Sequence, residues 1–146
     1  MTQEDKELLL KDLCARLPYN PLISINGERY RMEEISNALI GINTYKITVN
    51  GCDIEHWNIK PYLLPMSSMT DEMLEELNAN GFFKYRDTIA NVSHLESNGK
   101  VSEEIYTYID IENISFLMEF FYSHHIDFRG LIPKGLAIDA TGLGIY

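Results

Sequence analysis

The sequence predicts an α+β fold: an N-terminal helix, a small antiparallel sheet of two Asn-Gly hairpins, and a C-terminal helical part. Three observations predict it. Thr2 followed by Asp5 opens an amphipathic run that Pro18 closes, the mark of a capped helix. Asn26-Gly27 and Asn50-Gly51 each separate two strand-like runs, and Asn-Gly supplies the positive φ angles of a two-residue type I′ turn. Ile111 to His125 carries apolar residues round most of a helical circumference. A chain of 146 residues suits one compact domain, 1–146, with its own core.

On the first helix Leu9, Leu13 and Leu17 stack with Leu10 and Cys14, which makes Cys14 a small apolar residue at the rim of a core. In the first hairpin Ile23 opposes Tyr30 toward the apolar side, and Ser24 opposes Arg29 outward. In the second, Val49 opposes Cys52, Ile47 opposes Ile54 and Tyr45 opposes His56. On its other face Thr48 opposes Asp53 and Lys46 opposes Glu55. The first helix is expected to cover this sheet.

IKPYLLPMSS then reads as a proline-bracketed connector. Any division of the domain falls there, between a lobe 1–65 of helix plus hairpins and a lobe 66–146 of helices with a strand. A short helix follows, capped by Ser68 or Thr70, with Asp71 and Glu72 at its positive end, Met73, Leu74 and Leu77 on its apolar side, and Asn80-Gly81 at its close. FFKYR reads as a strand, DTIANVSHLESNG as a short helix, and IYTYI as a strand. Asp110 is a suitable N-cap for the last helix. Its face of Ile111, Ile114, Leu117, Met118, Phe121 and Tyr122, with Phe116 and Phe120 well round the side, is wide enough to be central to the fold or covered by a second chain.

Composition excludes several functions. With 45% apolar residues the chain is globular rather than disordered. Its apolar runs are too short or interrupted to span a bilayer, and the acidic start MTQEDKE is unlike a signal peptide, so a cytoplasmic protein is expected. Cys14 and Cys52 form no Cys-x-x-Cys pair, and a reducing compartment leaves them free thiols. A net charge of −10 with scattered Lys and Arg argues against direct nucleic-acid binding.

Two clusters invite a chemical reading. Cys52, Asp53, Glu55 and His56 resemble metal ligands, but on a strand four residues place Cys52 and His56 about 13 Å apart, too far to share one zinc. The segment FFYSHHIDFRGLIPKGLA contains His124, His125, Asp127 and Arg129. Adjacent histidines on a helix point about 100° apart and do not chelate one ion. They suit a helix C-terminus, where an imidazole meets the terminal carbonyls. Asp127 and Arg129 suit a salt bridge pinning the helix exit, with Gly130 giving the turn. The chemical alternative makes His124 or His125 a general base, Asp127 its orienting group and Arg129 an anion holder. It lacks a nucleophile and a phosphate cradle. Ser67 and Ser68 have no nucleophile-elbow context, and DATGLGIY is no dinucleotide fingerprint.

The segments MTQEDKELLLKDLCARLPY, KPYLLPMSSMTDEMLEEL and HHIDFRGLIPKGLAIDA resemble a group of short uncharacterised proteins of gut bacteria, frequent in phage-like and mobile regions. The resemblance implies kinship and brings no activity, ligand or catalytic residue. The expected function is that of a small non-enzymatic accessory protein without cofactor or metal, working through a protein partner or as a homodimer across Phe116, Phe120, Phe121 and Tyr122. An acidic mimic of DNA is the second expectation; it requires Asp71, Glu72, Glu75, Glu76, Glu103, Glu104 and Glu112 to share one surface. An enzyme or metal protein built on His124, His125, Asp127 and Arg129 is the third.

Overall fold

Helix α1 (Gln3–Arg16) begins with the expected capping box: the Thr2 hydroxyl accepts the Asp5 N–H while the Asp5 carboxylate accepts the Thr2 N–H. A single 3-10 turn, Leu17–Tyr19, follows it and carries Pro18. The computed structural model describes residues 2–32, 40–43, 46–49, 52–53, 59–85, 88–91 and 111–146. For 40–43, 46–49, 52–53, 85, 88, 91 and 111–113 it describes the backbone.

Strands β1 (Leu22–Ile25) and β2 (Glu28–Arg31) pair in the predicted register, with Ile23 opposite Tyr30 and Ser24 opposite Arg29. Asn26 and Gly27 take φ of 53° and 88°, as the type I′ turn demands. The second hairpin has β4 (Lys46–Val49) against β5 (Cys52–Asp53), with Val49 opposite Cys52 and Thr48 opposite Asp53. Its remaining expected pairs, at Tyr45, Ile54, Glu55 and His56, lie outside the described residues.

The two hairpins do not share a sheet among the described pairings. The second pairs with β3 (Ile40–Asn43), giving the order β3-β4-β5. The first belongs to a four-stranded sheet, β2-β1-β6-β9, with β6 at Ile59–Leu63 and β9 at Ile138–Asp139. The proline-bracketed connector is therefore corrected: it supplies β6, antiparallel to β1 and parallel to β9. A strand bonded to β1 on one side and β9 on the other ties the two expected lobes together. Pro61 survives in a central strand because of its phase. A two-residue turn makes Ile25–Glu28 a hydrogen-bonded pair, so alternation points Ser24 and Leu22 toward β6 and turns the Pro61 nitrogen away from β1. On that side β9 first pairs at Tyr62, so no ladder bond is lost.

The faces of this sheet are covered differently. Leu9 and Leu13 of α1 pack on Ile23, Ile25, Met32 and Ile59, as expected. On the opposite face Leu22 and Tyr62 cluster with Ala140, fringed by Ile138 and Ile145. Both sides of β1 are thus buried, and Ser24, expected outward, is 3% exposed. It stands in register between Arg29 and Lys60, long side chains flanking a short one.

Beyond a second 3-10 turn (Met66–Ser68), α2 (Asp71–Ala79) starts from Thr70, whose hydroxyl accepts the Met73 N–H. Strands β7 (Phe82–Tyr85) and β8 (Thr88–Asn91) form an antiparallel pair, which corrects the helix expected over the start of DTIANVSHLESNG. His94, Asp110 and the expected strand IYTYI lie outside the described residues. Helix α3 (Ile111–Ser123) packs Leu117, Phe120 and Phe121 against Leu77, Phe82 and Ile89. The α+β class stands, with α1, α2 and α3 interleaved along the chain with strands of mainly antiparallel sheets.

Candidate functional site

The four polar residues after α3 sit where the helix turns back into the core, and each is held by a different partner. The turn is a Schellman motif: the Ile126 N–H donates to the Phe121 carbonyl (2.8 Å) and the His125 N–H to the Tyr122 carbonyl (3.2 Å). Phe121 and Ile126, the pair such a motif brings together, share one apolar cluster. His125 occupies the left-handed position usually given to glycine, with φ 57°. This answers the sequence question about FFYSHHIDFRG: it is a helix end entering a core.

Past the turn, Leu64 continues the ladder from β6. Its N–H donates to the His125 carbonyl and its carbonyl accepts the Asp127 N–H, both at 2.8 Å. The Asp127 side chain, 9% exposed, accepts the Leu131 and Ile132 N–H groups on its two oxygens, each at 2.8 Å. It does not pair with Arg129, and that expectation is corrected: the carboxylate caps the next turn instead, with Gly130 at φ 72° between them.

Arg129 reaches α1. Its Nη2 donates to the Tyr122 hydroxyl (2.9 Å), and its Nε lies 3.3 Å from Asp12 Oδ1 as an ion pair whose N–H is not aligned on the oxygen. Asp12 is already bound to Arg16, through Nε at 2.7 Å and Nη2 at 3.1 Å, and Arg16 Nη2 also donates to the Ile126 carbonyl (2.7 Å). Asp12 and Arg16 are both 0% exposed. The Arg16 guanidinium lies 5.4 Å from the Tyr122 ring centre and 5.9 Å from that of Phe128, while Arg129 lies 4.7 Å over Phe128. A buried ionic knot therefore joins α1 to the segment after α3. Sequence reasoning missed it. The buried stripe of α1 is Leu9, Asp12, Leu13 and Arg16, spaced i, i+3, i+4, i+7, and reading apolar residues alone rotated that stripe toward Cys14. The available signal was Asp four residues before Arg on the leucine face.

The two histidines part company. His124 Nε2 meets Glu76 Oε2 of α2 at 2.8 Å near the surface. The His125 ring stacks on Tyr146, centroids 3.9 Å apart and planes at 14°, and its buried Nδ1 has no hydrogen-bond partner among the described residues. Burial, with Arg16 next and then His124 and Arg31, pushes its pKa down to about 4. A base that weak, enclosed beneath a tyrosine ring, is ill suited to take a proton near neutral pH. His124, His125, Asp127 and Arg129 thus converge on no common point. Among the described residues no group of three His, Cys, Asp or Glu side chains is placed to hold a metal ion.

Of the expected interface, Phe120, Phe121 and Tyr122 are 2%, 7% and 8% exposed, buried within their own chain. Phe116 is half-buried, stacked on Phe82 and tilted against Phe120. The aromatic surface is corrected accordingly: α2 and the β7–β8 pair cover the rings that the helical wheel left bare. Ile114, one turn before Leu117, is 45% exposed. A cleft of about 300 Å³ opens between the Pro65–Ser67 turn and the loop of Asp127, Phe128, Gly130, Ile132 and Pro133. Cys14 is free and partly buried, and desolvation raises its thiol pKa, which disfavours a reactive thiolate. Among the described residues no helix is long and apolar enough to cross a membrane.

Fold and site together define an α+β protein whose buried charges serve as ties between segments. No family model, curated protein or solved structure matches this chain.

Proposed function

We propose that the protein is a small non-enzymatic accessory protein that acts by binding another protein, in the cytoplasm, in keeping with the phage- and mobile-region resemblance of its signatures. One observation supports this reading above others. Among the described residues, those of the polar segment after α3 are engaged in internal bonds: Asp127 with two backbone N–H groups, Arg129 with Tyr122 and Asp12, His124 with Glu76. Held in these separate bonds, the side chains do not converge on a point where a reacting atom could sit.

The binding surface of this reading centres on Ile114 with half-buried Phe116, since the deeper rings of α3 are already covered. The test is affinity capture from the native host beside light scattering on purified protein, repeated with Ile114→Asp. Loss of a specifically captured protein, or of a dimer, in the variant supports the reading. A monomer that captures nothing specifically, or whose captured protein is indifferent to Ile114→Asp, overturns this surface.

The acidic-mimic reading draws on a narrower feature. Asp71, Glu72, Glu75 and Glu76 are all exposed on the two turns of α2. Of the other acids it requires, Glu103 and Glu104 lie outside the described residues, as does the Glu112 side chain. Neutralising the four α2 acids to Asn and Gln abolishes capture of a basic partner on this reading and leaves capture unchanged otherwise.

A further inference from the structure

One edge of β6 is completed by three different pieces of chain. Ser24 of β1 pairs with Lys60, and at the far end the His125 and Asp127 backbone pairs with Leu64. Between them, Leu22 and Tyr62 stand opposite each other by register, and a tyrosine hydroxyl bridges them. The Tyr146 hydroxyl accepts the Leu22 N–H at 3.0 Å and donates to the Tyr62 carbonyl at 2.8 Å. It fills the step where the direct β1–β6 pairing has ended and the segment after α3 has not yet begun. The same ring stacks on His125, whose carbonyl makes the next bond of that edge. Ile145 adds to the cluster of Leu22, Tyr62 and Ala140, and the Thr141 hydroxyl bonds that of Ser68 at 2.7 Å. Gly142 and Gly144, with φ of 74° and 64°, make this run of backbone readily turned.

We propose that residues 141–146 form a releasable strap, docked by the hydroxyl wedge and ring stack of Tyr146, and that protonation of His125 undocks it and bares the Leu22–Tyr62–Ala140 face. The groups facing the imidazole explain the direction. Arg16 of α1, Arg31 of β2 and His124 of α3 all disfavour a positive charge on the ring, and Asp12 is already committed to Arg16. The buried Nδ1 has no acceptor among the described residues to receive a new proton. An imidazolium in this place is unfavourable while the strap encloses it and becomes tolerable once the strap leaves and water reaches the ring. At neutral pH the uncharged ring stacks on Tyr146, and the face stays closed.

The test is backbone amide exchange followed by NMR. The Leu22 N–H, which donates to Tyr146, reports docking, and the Leu13 amide in the core reports global opening. With His125 shifting from about 4 when enclosed toward its ordinary 6.5 when released, Leu22 protection, corrected for intrinsic exchange, falls about thirty-fold between pH 7.5 and 5; Leu13 protection, whose global opening takes up the same proton, falls alongside it but stays far above that of Leu22 at both pH values. Tyr146→Phe strips Leu22 protection already at pH 7.5, and His125→Phe keeps a stacking ring and loses the pH response. Tyr146→Ala raises the His125 titration midpoint, read from its ring carbon shift, toward 6.5. Leu22 protection as high as that of Leu13 at both pH values, an unchanged pH response in His125→Phe, or an unmoved midpoint in Tyr146→Ala overturns the proposal.

Discussion

Replacing Arg16 with methionine removes a guanidinium that is wholly enclosed and bonded to Asp12 twice and to the Ile126 carbonyl once. Methionine fills much of the same volume, so the loss is of charge and hydrogen bonds rather than packing. Removing one partner of a buried pair costs about 3–5 kcal/mol, because the other charge is left without compensation. Arg129, 3.3 Å from the same carboxylate, lowers that figure, while the orphaned Ile126 carbonyl adds to it. The expectation is a loss of about 3 kcal/mol, against a total stability of roughly 5–15 kcal/mol. Urea unfolding at neutral pH, with a slope of about 2 kcal/mol per molar, then shows the midpoint falling by roughly 1.5 M. Replacing both groups, Asp12→Leu with Arg16→Met, removes the stranded charge and recovers most of the loss, with a coupling of at least about 2 kcal/mol. A single variant costing under about 1 kcal/mol, or a double costing the sum of the singles, refutes the view that this knot is an electrostatic tie.

Acid sensitivity follows from His125. Its folded pKa lies near 4 and its unfolded value near 6.5, so between these pH values the unfolded chain binds the proton more tightly. Its contribution to stability is complete above pH 6.5 and is lost as pH falls through that window. The loss between pH 7 and 4.5 is roughly 2–3 kcal/mol, and His125→Asn, which tolerates the left-handed backbone and does not titrate there, removes that share of the pH slope in urea midpoints. At Gly27, with φ 88°, a Cβ meets nothing within 4 Å. Gly27→Ala therefore carries a purely conformational cost of about 1–2 kcal/mol, visible as a lower thermal midpoint without rearrangement of the β1–β2 register.

Local features were legible because each is settled within a few residues. The Thr2–Asp5 box, the Asn26-Gly27 turn and the Thr70 cap all appear where residue chemistry places them. Partnership was legible only in part. Ser24 reads as outward on a two-stranded ribbon, and β6 with β9 makes its strand central. Pro61 reads as a connector because a strand needs its N–H, unless phase turns that nitrogen away from the neighbour. FFYSHHIDFRG was read correctly as a helix end. The bonds of Asp127 and Arg129 were not, since both carboxylate acceptors and cationic donors have several partners of suitable chemistry within reach.

What the sequence by itself determined is therefore the set of helices and hairpins whose start, turn and stop depend on neighbouring residues: α1, β1–β2, α2 and the end of α3. The tertiary structure alone decided which strand lies beside β1, which rings of α3 are covered, and that Asp12 and Arg16 are sealed inside while Tyr146 closes the β6 edge. The reason is range. A cap or type I′ turn is a contest among conformations of a few residues, whereas Arg16 meets Ile126 across 110 positions, and Tyr146 meets Leu22 across 124. Such contacts are selected by how the whole core closes, and no short window of the chain contains both partners.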